Sequence, residues 1–101
     1  MSNKRRAHAQ LDPIIHPLPR LRLCAILAPL DWEEFQTLRD LLKTSDSALS
    51  KQLSALTEAG YVEQLRASRG GRSRVRVHLT AAGRRAFRAH LAALAALAQS
   101  E

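Results

Sequence analysis

The sequence predicts a mainly α-helical fold carrying a single β-hairpin, an α+β domain, and three observations carry that prediction. Leucines and other apolar residues recur at helical spacing from Leu18 to Leu56. The period then switches to alternation between Tyr61 and Leu79, clearest over Arg74 to Leu79, around a central Gly70-Gly71 pair. From Thr80 the helical period returns and holds almost to the end of the chain. At 101 residues this is one domain with a thin core, which association with another copy would help to stabilise.

Each element follows from local chemistry. Residues 1–10, MSNKRRAHAQ, are polar, with Lys4, Arg5 and Arg6 clustered, and read as a flexible basic arm before a domain spanning 11–99. Asp12-Pro13 opens a helical turn that Pro17 and Pro19 keep short. The first full helix is expected over Leu18 to Ala28, with Leu23, Ile26, Leu27 and Leu30 at helical spacing, and Pro29 ends it.

Asp31-Trp32-Glu33-Glu34 resembles a capping box, which places the start of a second helix near Trp32. Its stripe is Phe35, Leu38, Leu41 and Leu42, and Lys43 falls in its last turn, as the helix dipole prefers. Trp32 is expected to pack at a domain edge. After the break at Thr44-Ser45, Ser45 caps a third helix buried along Leu49, Leu53 and Leu56 and stopped by Gly60. Two short helices joined by a brief turn make a helix-turn-helix over 32–59.

The hairpin spans 61–79. Tyr61 to Arg66 is one strand and Arg74 to Leu79 the other, with Ser68 to Arg72 as the tip. Val75, Val77 and Leu79 share one face, and Arg74, Arg76 and His78 the other. Glycine at 70 and 71 permits positive φ. Thr80 caps the last helix, expected over 80–98. From Ala89 to Ala98 this helix has no Asp, Glu, Lys or Arg, and Ala or Leu lies on every face. A helix apolar all round belongs against another surface, and in a chain this small a second copy supplies it. The last helix is therefore expected to form a homodimer contact, through Phe87, Leu91, Leu94 and Leu97.

The formal net charge is +7, unevenly distributed. Between Gln64 and Ser100 lie eight arginines (66, 69, 72, 74, 76, 84, 85 and 88) and no acid, while eight of the nine acids precede that block. So one-signed a block repels itself and points to a polyanionic partner rather than to an ordinary solvated face. Nucleic acid is the expected partner, and an anionic membrane surface is the lesser alternative. Cys24 is the single cysteine and sits in an apolar run, so it reads as a buried small hydrophobe in a reducing compartment. No apolar run approaches a membrane span, and a soluble, cytoplasmic protein is expected.

The third helix carries the specific chemistry. Opposite its leucines stand Ser47, Ser50, Lys51 and Ser54, with Ser45 at its start. Short hydroxyl side chains let a helix backbone approach DNA and can bond phosphates or base edges, and Lys51 can reach a guanine or a phosphate. Serine is a mediocre helix former, so a serine-rich face is an unusual choice for mere solvation. Arg69 and Arg72, beside Gly70 and Gly71, are placed to enter a minor groove, and Arg74 to touch phosphates. Arg76 divides evenly between contact and solubility.

Catalysis has no constellation to support it. Glu33 and Glu34 are explained by capping, and the serines lack a nucleophile elbow. His8, His16, His78 and His90 are scattered, and none stands at metal-ligand spacing with Cys24 or an acid. Neither a metal nor a cofactor is expected.

Taken in order, these pieces resemble the winged helix-turn-helix regulators of the MarR/ArsR-like superfamily, most nearly the small stand-alone bacterial winged-helix proteins. The likeness rests on LDPIIHP with Arg20-Leu21, on Phe35 to Asp40, on SDSALSKQL from Ser45, on Ala59-Gly60-Tyr61-Val62, and on Leu79 to Arg84. It covers about 11–95. The resemblance implies a homodimer built from first and last helices, which adds Leu21 of the first helix to the dimer contact, two recognition helices reading a palindromic operator near Ser47, Ser50 and Lys51, and wing contacts over Arg69 to Arg74. A repressor is the expected role. The chain is shorter than the better-known MarR proteins and lacks the Cys/His sets of the metal-sensing branch. An effector-gated sensor binding a small molecule or metal, and a protein-interaction module that has lost DNA binding, are the alternative readings.

Overall fold

A computed structural model describes residues 10–100, with the side chains of Arg69 and Arg72 excepted. The basic arm expected at 1–10 therefore lies, apart from Gln10, outside the described residues. The element order is α1 (Leu18–Leu27), β1 (Glu33–Glu34), α2 (Phe35–Leu42), α3 (Asp46–Glu58), β2 (Val62–Arg69), β3 (Arg72–Leu79) and α4 (Ala81–Ser100). Four helices and a three-stranded antiparallel sheet ordered β1-β3-β2 make an α+β winged-helix fold.

Local chemistry sets most boundaries. Before α1, the Asp12 carbonyl accepts from the Ile15 and His16 amides, which closes the turn that Asp-Pro begins. Pro17 then caps α1. The Ser45 hydroxyl accepts from the Ala48 amide at 3.1 Å and caps α3. Gly60 follows α3 with φ +81°, a left-handed conformation that glycine adopts without strain. Thr80 accepts from the Gly83 amide at 2.9 Å and donates to the Gly60 carbonyl at 2.7 Å, joining the start of α4 to the end of α3.

The second helix begins later than its acids indicate. Glu33 and Glu34 do not form a first helical turn; they pair with Val77 and Arg76 as the edge strand β1, and α2 starts at Phe35. The partner strand lies far along the chain, so spacing around Asp31 could not announce it. Trp32, next in register, stacks on His78 with ring centroids 4.8 Å apart. Lys43 is not in the last turn of α2 but caps it in the left-handed region, at φ +51°. The hairpin strands run further than their alternating segments, leaving only Gly70 and Gly71 as the tip.

The core lies where α1, α2, α3 and α4 meet the sheet. Ile15, Leu23, Leu27, Leu38, Leu49, Leu53, Leu56, Val77 and Leu79 are buried there, and Cys24 among them. Burial pushes the Cys24 thiol up to about 11, which fits an inert packing residue. Gly83 marks the tightest approach. A side chain there would run into the Tyr61 carbonyl and come within 2.8 Å of Leu79 Cδ1, so only glycine lets α4 lie against the turn after α3.

Candidate nucleic-acid interface

α3 has two unlike faces. Leu49, Leu53 and Leu56 anchor it in the core, while Ser47, Ser50, Lys51 and Ser54 are all exposed on the other side. Anchoring by three leucines fixes which way the hydroxyls and the Lys51 ammonium face. Ser45 is exposed too, but its hydroxyl is engaged as the cap, 3.4 Å from the Ser47 hydroxyl. The helix therefore turns Ser47, Ser50, Lys51 and Ser54 to solvent, together with Asp46, Thr57 and Glu58, while Ser45 holds its end.

The hairpin stands beside this face. Gly70 and Gly71 have φ of +57° and +78°, as a two-residue hairpin tip requires. Arg69 and Arg72 face each other across the closing pair, although their side chains lie outside those described. Arg74 and Arg76 are exposed on the outer face of β3. Between α3 and the hairpin runs an open cleft of about 350 Å³, to which Ser50 and Arg74 both contribute. The fold thus places Ser50 of α3 and Arg74 of the hairpin on one cleft.

Not every arginine of the basic block is free to meet a polyanion. The Arg74 guanidinium donates to both carboxylate oxygens of Glu34, each at 2.9 Å, across the β1–β3 edge. Arg66 donates to the Ser73 hydroxyl at 2.9 Å. Arg84 turns inward and donates to the Ala28 carbonyl and, at 3.0 Å, to the Leu30 carbonyl. It therefore closes the C-terminal end of α1 rather than facing solvent. Arg20, outside the block, is similar: it bridges the Ile14 carbonyl at 2.5 Å and the Gln52 side chain at 2.9 Å, tying α1 to α3.

The cleft also holds residues that the pattern of the chain did not single out, notably Gln36, Arg39 and Ser73. Arg39 bonds Asp46 at 2.9 Å and Asp40 at 3.2 Å, fastening the end of α2 to the start of α3. The Arg39–Asp46 pair spans the turn between helices, so no helical or strand period marks it.

The residues expected at a dimer contact divide. Phe87 belongs to the core, and Leu21 packs partly against that core. Leu94 is half-buried, whereas Leu91 and Leu97 are 44% and 49% exposed. Among the described residues no group of three His, Cys, Asp or Glu could hold a metal, and no helix is long and apolar enough to cross a membrane.

A helix-turn-helix with an exposed hydroxyl-and-lysine face, followed by a basic hairpin, defines a winged-helix DNA-binding protein. The chain belongs to the winged helix DNA-binding domain family, whose pattern it matches over residues 20–98. It is 31% identical, over 78 residues, to an uncharacterized protein of Methanocaldococcus jannaschii, an alignment covering 77% of this chain and 85% of that one. Its fold is similar to the solved structure of a transcriptional regulator homologue from Pyrococcus horikoshii OT3, with a TM-score of 0.80 at 22% identity, covering 86% of each chain.

Proposed function

We propose that this chain is a transcriptional regulator that binds double-stranded DNA sequence-specifically as a homodimer and represses by occupying a palindromic operator. In this reading α3 enters the major groove. Ser47, Ser50, Lys51 and Ser54 face base edges and flanking phosphates, and Ser45 holds the helix end. The hairpin tip at Gly70-Gly71 lies along the backbone, with Arg69 and Arg72 toward the minor groove and Arg74 on a phosphate. The carrying observation is the division of α3 between three buried leucines and the exposed Ser47, Ser50, Lys51 and Ser54, with Ser50 on the cleft that Arg74 of the hairpin also lines.

The homodimer reading is supported by Leu91 and Leu97, two large apolar side chains exposed on a charge-free stretch of α4. Leu94 completes that stripe, and Leu21 on α1 would join the contact; Phe87, already in the core, is left out of it. A two-fold dimer with half-sites one helical turn apart matches so compact a protomer. The structural relative described as a transcriptional regulator homologue is consistent with this role.

Selection of bound sequences from random duplex DNA tests the reading. It predicts an inverted repeat as the enriched sequence, and a preference that weakens when Ser50 and Lys51 are both replaced by alanine. Enrichment of no motif, or a motif indifferent to both substitutions, would contradict it.

A further inference from the structure

Away from the interface, the fold assembles a buried polar cluster from residues far apart in the chain. His90 on α4 is fully buried. Its Nδ1 accepts the backbone N–H of Asp12 at 2.9 Å. A nitrogen that accepts carries no proton, so the neutral ring bears its hydrogen on Nε2. That Nε2 lies 3.4 Å from Nδ1 of His16, which must in turn be the acceptor. The two rings meet edge to face, with centroids 5.3 Å apart. The Asp12 carboxylate is committed elsewhere: Oδ1 accepts from the Ile14 amide at 2.8 Å and Oδ2 from the Tyr61 hydroxyl at 2.7 Å.

We propose that His90 is a proton-operated latch that holds the segment 10–16 against α4 when neutral and releases it when protonated. Adding a proton to Nδ1 turns the acceptor of the Asp12 amide into a second donor, so two N–H groups face each other in a buried site. A proton on His16 Nδ1 would oppose the His90 Nε2–H in the same way. The arrangement is therefore satisfied only with both nitrogens bare.

The surroundings favour the neutral ring. Burial holds His90 below the ordinary histidine range, and the neighbouring His16 acts in the same direction, while the Asp12 carboxylate opposes them. The other groups facing the cluster are Tyr61, after α3, and Cys24, on α1. The bond to Asp12, with burial, pushes Tyr61 up to about 12, and burial raises Cys24, so both stay neutral near pH 7. The sign follows by linkage. An unfolded chain takes up the proton near pH 6.5, before the folded one does, so stability is complete above about pH 6.5 and declines as the pH falls further. The unfolding constant rises by at most about tenfold per pH unit for one such group.

Release would uncover α4 at the half-buried Ala86 and the buried His90, which share a cavity with Gln10, Leu11 and Asp12. Leu91 follows on the same helix. A consequence for self-association rests on the dimer reading above, whereas the latch itself does not.

Amide NMR of the full chain tests the latch directly. The Asp12 amide resonance should move with the midpoint of the His90 ring, and its protection against hydrogen exchange, corrected for intrinsic rate, should fall as the pH is lowered from 7.5 to 5, by no more than about tenfold per pH unit. His90→Asn sets a carbonyl oxygen near the place of Nδ1 and cannot titrate there, so it should flatten that dependence. Unchanged Asp12 protection at pH 5 in the unsubstituted chain, or the same pH dependence in His90→Asn, would overturn the proposal. Sedimentation at both pH values reads association separately, so a failed dimer and a failed latch give different results.

Discussion

Arginine serves two ends in this molecule, and the contrast between Arg84 and the hairpin arginines shows where charge means function. Arg84 reaches two backbone carbonyls at the end of α1 and is half-buried. Arg76 stands exposed on β3, and Arg74 is held at the surface by Glu34. All belong to one acid-free block of sequence, yet one completes the fold and the others face outward. A count of basic residues therefore overstates the surface open to a polyanion.

Substitutions can break this contrast, beginning at the structural end. Gly83→Ala should have the largest effect, because its new methyl meets backbone as well as Leu79; a loss of about 3 kcal/mol in urea unfolding is expected. Arg84→Ala leaves the Ala28 and Leu30 carbonyls without their partner and should cost about 2 kcal/mol by the same measurement. On the functional side, Lys51→Ala should weaken binding to a selected duplex by about 1–2 kcal/mol while leaving the unfolding midpoint nearly unchanged. Glu34→Gln should have the smallest effect. The pair is exposed, so stability should shift by under about 1 kcal/mol, while release of Arg74 makes anisotropy titrations show equal or tighter DNA binding.

The same contrast explains what could be read from the sequence. The Ser45 cap, the Gly60 stop, the Gly70-Gly71 tip and the alternation of Val75, Val77 and Leu79 are local signals, each set by residues within a few positions. The serine face of α3 is legible for the same reason, since three leucines fix its orientation. Glu33 and Glu34 mislead because their strand partners, Val77 and Arg76, are distant and a helix start suits the same acids. Phe87 fits an interface stripe and a core stripe equally well, and only the position of α1 decides. His16 and His90 look unrelated along the chain because 74 positions separate them, yet the fold brings their rings together.

The salt dependence of binding to duplex DNA tests the central claim most directly. Removing one phosphate-binding side chain should lower the log–log slope by about 0.9. The account predicts a shallower slope for Arg74→Ala/Arg76→Ala than for the unsubstituted chain, and an unchanged slope for Arg84→Ala under conditions where it remains folded. An unaltered slope in the hairpin variant, or an equally shallow one in Arg84→Ala, would contradict the division of roles.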